Sequence, residues 1–368
     1  MTMQAKLLER FLRYVAVTSQ SNAAVKTVPT TEGQRQLAEL LKNDLAELGL
    51  VDLEISEHSV LTGKLPANLP EGHHPVPAVG WVAHLDTVDV CLNAEIHPHV
   101  VKNYQGGDIC LNEEKQIFLK VSEHPEIEKY IGEDIVVSDG TSVLGADDKA
   151  AIANIMVALE TLANDKTIYH GDIYVAFVPD EEIGLLGAKK IDFAKFPVDF
   201  AYTIDCCELG EVVYQTFNAG SAEVYIKGIT AHPMSAKGVL VNPTLIATDL
   251  VNSFDRMQTP EHTEGTEGYI WVTAINSNVS EARVNMAIRD HSKVLYEARK
   301  EQIKNAVEFL KLRHPKAVIE LTMSDTYGNI ADAIRVKTGG TDTIVADNFS
   351  DEILNIQTKE DLQAELTE

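Results

Sequence analysis

Cysteine is scarce in this 368-residue chain, and the four that occur, Cys91, Cys110, Cys206 and Cys207, show no framework spacing. Adjacent cysteines seldom bridge each other, so no disulfide-stapled scaffold is expected and a reducing cytoplasm suits the chain. Long apolar runs are lacking too. Nothing approaches the length of a membrane span, and the stretch from Met1 to Arg10 reads as an amphipathic helix without a signal core or a small-residue cleavage site. Positive charge is in short supply, with 31 Lys and Arg against 56 Asp and Glu and a formal net charge of -25. Such a surface repels nucleic acid and anionic membranes, so neither is an expected partner. Repeats and low-complexity tracts are missing as well. What is present is enough apolar sequence for a sizeable core, over a length that suggests two domains or one domain carrying an insertion.

Hydrophobic periodicity predicts a helix over 4–17, with Leu7, Leu8, Phe11, Leu12 and Val15 on one face. A second helix is expected to be capped by Thr31, to carry Leu37, Leu40, Leu41, Leu45 and Leu48, and to stop at Gly49. Residues 51–55 alternate like a strand. The segment 62–77, rich in Pro, Gly and His, is expected to be a surface loop that leaves His73 and His74 in solvent. Buried strands are expected at 78–83 and 171–178, a helix at about 148–163, and a short strand at 200–205. Residues 90–135 look irregular, with short strands at 117–121 and 135–137. Strands alternating with helices make this an α/β region. After about 215 the order becomes strand, helix, strand, strand, helix, strand, the split βαβ pattern of a small α+β layer.

Acidic and imidazole residues gather where strands are expected to end: His84 with Asp86, Asp147 with Asp148, Glu181 with Glu182, and Asp205. Ligands of open α/β sheets bind beyond strand C-termini. Two adjacent carboxylates raise each other's pKa unless something positive binds them, so Glu181-Glu182 suggests one metal ligand and one proton carrier. The bland alternative is a helix N-terminus, where acids suit the dipole. His84 and Asp86 are two apart on a strand and face the same way, which suits an imidazole ligand and its orienting partner, or a satisfied buried pair. Of Asp147 and Asp148, one could cap the following helix while the other bridges two cations. Imidazole plus carboxylates suits zinc, with manganese or cobalt open by the same logic. Cys206 and Cys207 point opposite ways on a strand, so at most one reaches such a site.

Eight stretches carry a resemblance. They are Thr30-Thr-Glu-Gly-Gln, Ala83-His-Leu-Asp-Thr, Asn103-Tyr-Gln-Gly-Gly-Asp, Leu144-Gly-Ala-Asp-Asp-Lys-Ala, Pro179-Asp-Glu-Glu-Ile-Gly, Tyr202-Thr-Ile-Asp, His232-Pro-Met-Ser-Ala-Lys-Gly and Ile288-Arg-Asp. In this order, over about 1–330, the chain resembles the peptidase T family of tripeptide aminopeptidases, within the larger group of cocatalytic zinc aminopeptidases, carboxypeptidases and deacylases. The resemblance implies an α/β catalytic domain, zinc-aminopeptidase-like, with a mixed sheet flanked by helices. It also implies an inserted α+β (ferredoxin-like) lid and dimerisation domain. The implied segments are 1–215 and 324–368 for the catalytic domain and 216–323 for the insertion. It implies two zinc ions per subunit, tripeptide substrates, a homodimer formed through the insertion, and a cytoplasmic location. Residue by residue, His84, Asp147, Glu182 and Asp205 resemble the metal ligands, with Asp147 bridging. Asp86 resembles the partner that orients His84, and Glu181 the general base. His232 and Arg289 resemble the residues that close on the substrate, polarising the scissile carbonyl and contacting the carboxylate end.

The chain departs from the family after about 330. Asn329-Ile-Ala-Asp-Ala-Ile-Arg passes almost at once to Val336-Lys-Thr-Gly-Gly-Thr-Asp, Thr338 stands where the family has arginine, and the last histidine is His314. The family's C-terminal histidine ligand therefore has no counterpart, and a weakened second metal is expected, with a water, Asp342, Asp347 or Cys206 open as substitutes. A second expectation follows: a degenerate or truncated relative that binds peptide or a single metal with impaired catalysis.

Overall fold

The structure, a computed structural model, describes residues 2–74, 76–205 and 213–331. The chain divides into two compact units, Met1–Cys207 and Glu208–Glu368.

The first unit opens with α1 (Met3–Val15), capped by Thr2, whose Oγ1 accepts the Ala5 N–H. α2 (Glu32–Glu47) follows, then β1 (Val51–Ile55), β2 (Leu61–Leu65) and β3 (Val79–His84). Two small hairpins come next, β4 (Pro98–Val101) with β7 (Ile135–Ser138) and β5 (Ile109–Asn112) with β6 (Ile117–Leu119), around a satellite core of Tyr104, Ile109 and Ile127. α3 (Ala146–Asn164), β8 (Ile173–Val178) and β9 (Phe200–Thr203) complete the unit. The sheet order is β1-β2-β8-β3-β9, antiparallel between β1, β2 and β8 and parallel from β8 through β3 to β9. The main core joins Phe11 and Tyr14 of α1, Leu37, Leu41 and Leu45 of α2, Ile152 and Met156 of α3, and Leu61, Val175 and Phe177 of the sheet. Each fully buried aliphatic side chain there contributes about 1.5–3 kcal/mol.

β2 overlaps the segment expected to be a loop, beginning one residue before it. Gly63 and Lys64 dilute its apolar pattern, and Leu53 fills the space beside Gly63, where a Cβ would lie 2.4 Å from Leu53 Cδ2. The neighbouring expectation holds: His73 and His74 are exposed. Thr31 sits at the N-cap of α2 but makes no capping bond, its hydroxyl donating to the Gln20 carbonyl instead.

The second unit comprises β10 (Asn218–Lys227), α4 (Pro243–Asn252), β11 (Tyr269–Ser277), β12 (Glu281–Asp290), α5 (Lys293–Arg313) and β13 (Val318–Tyr327). Its antiparallel sheet runs β11-β12-β10-β13, the ferredoxin-like order, and both helices pack on it. Ile246 and Leu250 of α4 and Ile303, Val307 and Leu310 of α5 meet Val224, Ile226, Val284 and Ile288 in its core. Asn242 caps α4 through Thr244 and Leu245, with Pro243 at the first helical position where no N–H is needed. β13 keeps its pairing with β10 as far as Tyr327, opposite Ala219, so the boundary expected at 323/324 falls inside this strand. Of the expected second catalytic segment, 332–368 lies outside the described residues. No helix among the described residues is long and apolar enough to cross a membrane.

Candidate metal centre

Register explains why distant residues converge. β3 and β8 run parallel with His84 opposite Val178, so both strands stop side by side and release His84-Leu-Asp86 and Pro179-Asp-Glu-Glu182 at one sheet edge. β9, parallel on the other side of β3, pairs Thr203 with Val82, and Ile204 N–H donates to the Val82 carbonyl, which delivers Asp205 to the same edge. The start of α3, where Asp147 and Asp148 depart from helical φ and ψ, supplies these two acids.

His84 and Asp86 are both buried. His84 Nε2 lies 2.7 Å from Asp147 Oδ1 and 4.0 Å from Asp205 Oδ2. Its Nδ1 lies 3.3 Å from Asp86 Oδ1 without the alignment of a hydrogen bond. Asp86 also accepts the N–H groups of Glu181 at 2.9 Å and Glu182 at 3.2 Å, so one carboxylate touches both the imidazole and the acidic loop. Three sets of groups could share a metal ion: His84, Glu181 and Asp205; His84, Asp147 and Glu182; and Asp147, Asp148 and Asp205. Within each set the donor atoms lie within 4.8 Å of one another.

The electrostatics are those of crowded acids. Burial and then the neighbouring Asp147 charge push Glu182 up to about 7. Burial is the main cause of the rise in Glu181 and Asp205 as well, with further contributions from Asp86 and Asp147. Asp147, hydrogen-bonded by His84, moves down. Burial opposes the charged form of His84, but the bond to Asp147 and the close Asp86 and Asp148 carboxylates outweigh it and hold the imidazole at about 11. Imidazole and carboxylates are the donors of zinc-type sites, and a cluster of acids that raise each other's pKa is relieved by divalent cations. The residues present therefore fit a metal group.

Several contributors escape sequence reasoning. Asp148 does not cap the helix: it is buried, its Oδ2 accepts the His84 backbone N–H at 2.9 Å, and burial pushes it up to about 8. The N-cap position of α3 is Gly145, left-handed at φ 70°, where no side chain caps. Lys149 is fully buried, donates to the Val17 carbonyl at 2.8 Å, and is brought down to about 7 by burial despite the opposing Asp86 charge. Asp180 is buried at φ 55°, a left-handed conformation that costs an L-residue about 1–2 kcal/mol, and contacts from α2 hold it there. Gly187 closes the loop, since a Cβ would lie 2.1 Å from the Pro179 carbonyl oxygen. The only signal for these roles was that Thr30, Gln34, Asp148, Lys149 and Asp180 all fall inside the stretches that carry the family resemblance.

His232 and Arg289 belong to the second unit. His232 is exposed ahead of a short 3-10 turn, and its Nδ1 accepts the Met234 N–H at 3.3 Å, which leaves Nε2 free to donate. Arg289 on β12 donates to the carbonyls of Gly220 and Ile288 and lies over the Phe217 ring at 5.4 Å. Cys206, Asp342 and Asp347, the expected substitutes for a missing ligand, lie outside the described residues.

Comparison with known proteins bears on the fold and the family. A peptidase dimerisation domain model matches residues 214–316, and an M42 glutamyl aminopeptidase model matches 96–245. A peptidase T-like protein of Yersinia pestis is 52% identical over 329 residues, 89% of this chain and 78% of the relative. Peptidase T of Fusobacterium nucleatum is 42% identical over 330 residues, 89% of this chain and 79% of the relative. Among solved structures, the aminopeptidase PepT from Bacillus cereus superposes with a TM-score of 0.67 at 22% identity, covering 89% of this chain and 78% of that one. A tripeptidase from Staphylococcus aureus gives 0.66 at 22% identity, covering 93% and 84%. These two share the fold, and the identity to the curated relatives goes further: the chain belongs to the peptidase T family of metallo-aminopeptidases.

Proposed function

We propose that this chain releases the N-terminal residue from tripeptides in the cytoplasm and works with two zinc ions. The observation that carries the reading is the convergence of His84, Asp147, Glu181, Glu182 and Asp205 at one sheet edge, with shared donor sets inside 4.8 Å. His84, Asp147 and Glu182 would hold one cation and Asp147 with Asp205 the other, Asp147 bridging. When bound, such a pair supplies Lewis-acid polarisation of the peptide carbonyl and lowers the pKa of water.

The protein's own groups do the rest. Glu181 takes a proton from the attacking water at its carboxylate and delivers it to the leaving amine nitrogen, and its raised pKa moves it toward the range where both steps are feasible. Asp86 orients His84 and, through the two N–H groups it accepts, fixes where Glu181 and Glu182 begin. His232 offers its Nε2–H to the carbonyl oxygen as negative charge develops there. Arg289, using Nη1 for backbone carbonyls, keeps further N–H groups for the tripeptide carboxylate. We assign the segment from 216 through β13 to an inserted domain that forms a homodimer, a reading supported by the dimerisation-domain match. Residues 1–215 and the chain beyond β13 are assigned to the catalytic domain, which moves the boundary expected at 324 past Tyr327.

The reading is tested with zinc-loaded protein and trialanine, free or N-acetylated. Release of alanine from the free peptide and not from the acetylated one is expected. Equal hydrolysis of both points to another amide substrate and overturns the aminopeptidase assignment.

A further inference from the structure

The loop that carries Glu181 is gripped from a place the catalytic reading does not use. Asp180, fully buried beside it, receives the Thr30 N–H at 2.8 Å, the Thr30 hydroxyl, and Gln34 Nε2 at 2.7 Å. The grip is two-sided, because Gln34 Oε1 in turn accepts the Asp180 backbone N–H at 2.8 Å. Gln34 is itself fully buried at the start of α2, and its Nε2 has the Thr31 hydroxyl as a further partner at 3.1 Å. The Gln34 amide carries both functions at once, donating to the side chain and accepting from the backbone of one residue. Asp180 sits at φ 55°, a conformation that favours glycine, and this residue sets the direction in which the next Cα–Cβ bond leaves the chain. On the far side Asp86 takes the Glu181 and Glu182 N–H groups, and the turn closes through Leu186 N–H to the Asp180 carbonyl.

We propose that Thr30 and Gln34 are positioning residues: through Asp180 they hold the loop backbone in its left-handed turn and so aim the Glu181 carboxylate. The proposal rests on the reading of Glu181 as the proton carrier, and its effect reaches the reaction only through that residue.

Thr30→Val, Thr30→Ser, Gln34→Leu, Glu181→Gln and the double variant Thr30→Val/Glu181→Gln, all as zinc-loaded full chains, test it. With trialanine, Thr30→Val and Gln34→Leu are expected to lower kcat about tenfold or more, since small misplacements of a reacting group have effects of that order. KM and zinc per chain should stay within about twofold, and Thr30→Ser should keep most of the activity because it retains the hydroxyl. Added to Glu181→Gln, Thr30→Val should lower kcat no further, whereas a merely structural loss would persist. A readout independent of turnover is hydrogen exchange in the metal-free chain. In Gln34→Leu the backbone amides of 179–187 should exchange faster while those of 173–178 do not. Wild-type kcat in both Thr30→Val and Gln34→Leu, or an undiminished Thr30→Val effect in the Glu181→Gln background, overturns the proposal. Unchanged exchange at 179–187 overturns it as well. Full activity of Glu181→Gln alone overturns the proton-carrier reading instead, and the exchange measurement still judges the grip. Should Gln34→Leu fail to fold, Thr30→Val, which removes a single hydroxyl, carries the kinetic and exchange comparison.

Discussion

The candidate site residues of the two units are held in opposite ways. In the first, Asp86, Asp148 and Asp180 are buried and spend their oxygens on backbone N–H groups of residues far away in sequence. In the second, His232 is exposed and bonded only to its own turn, and Arg289 leans on carbonyls of its own sheet. The first arrangement suits groups that must be in place before a substrate arrives. The second suits groups that meet a flexible ligand. Substitutions in the first unit should therefore strike kcat and metal content, and those in the second should strike the handling of substrate.

The sharpest way to break that contrast is Glu181→Gln, which should lower kcat by about 10²–10⁴ with zinc still bound. Steady-state release of alanine from trialanine, alongside metal analysis, reads both. His232→Ala comes next, with a loss of about 10²–10³ in kcat, as expected for one donor to a developing oxyanion. Zinc per chain should not change. Arg289→Ala should act mainly on KM, raising it about tenfold for a tripeptide with a free carboxylate and much less for its amide. A comparable KM rise for both peptides would remove the carboxylate contact from the account.

The smallest effect is on stability against pH in the metal-free chain. Asp148 rises from an ordinary 3.8 to about 8 and Glu182 from 4.5 to about 7, so the folded state holds their protons more tightly than the unfolded chain does. Stability from these groups is fully present below the ordinary carboxylate range and is lost as pH climbs through 7 and 8. His84, raised from 6.5 to about 11, adds a loss that begins above 6.5, while Lys149, lowered from 10.5 to about 7, opposes it from 7 upward. Thermal unfolding of the first unit should therefore move to lower temperature between pH 5 and 7, and zinc should flatten that slope. A slope that zinc leaves unchanged would place the crowded acids outside the metal site.

Much of this was legible in the sequence, for a physical reason. Strands with β-branched, apolar runs announce themselves, and an acid just past such a run marks a sheet edge, so His84, Asp147, Glu181, Glu182 and Asp205 could be placed together before any coordinates. β2 escaped because Gly63 and Lys64 interrupt its pattern, and it became visible only as the strand between β1 and β8. Thr30, Gln34 and Asp180 escaped for a different reason. Their bonds span about 150 positions, and no local period encodes which buried acid meets which helix N-terminus. Either Asp147 or Asp148 could cap the following helix by position, yet Asp148 instead accepts the N–H of His84 at the end of β3.

The account's central claim is that one sheet edge of the first unit holds two cations through a shared Asp147. Native mass spectrometry of the full chain titrated with zinc tests it most directly, with Asp147→Asn in parallel. The account predicts two zinc ions per wild-type chain and weakened binding of both in the variant. A single zinc in the wild type, or a variant that loses neither, would contradict it.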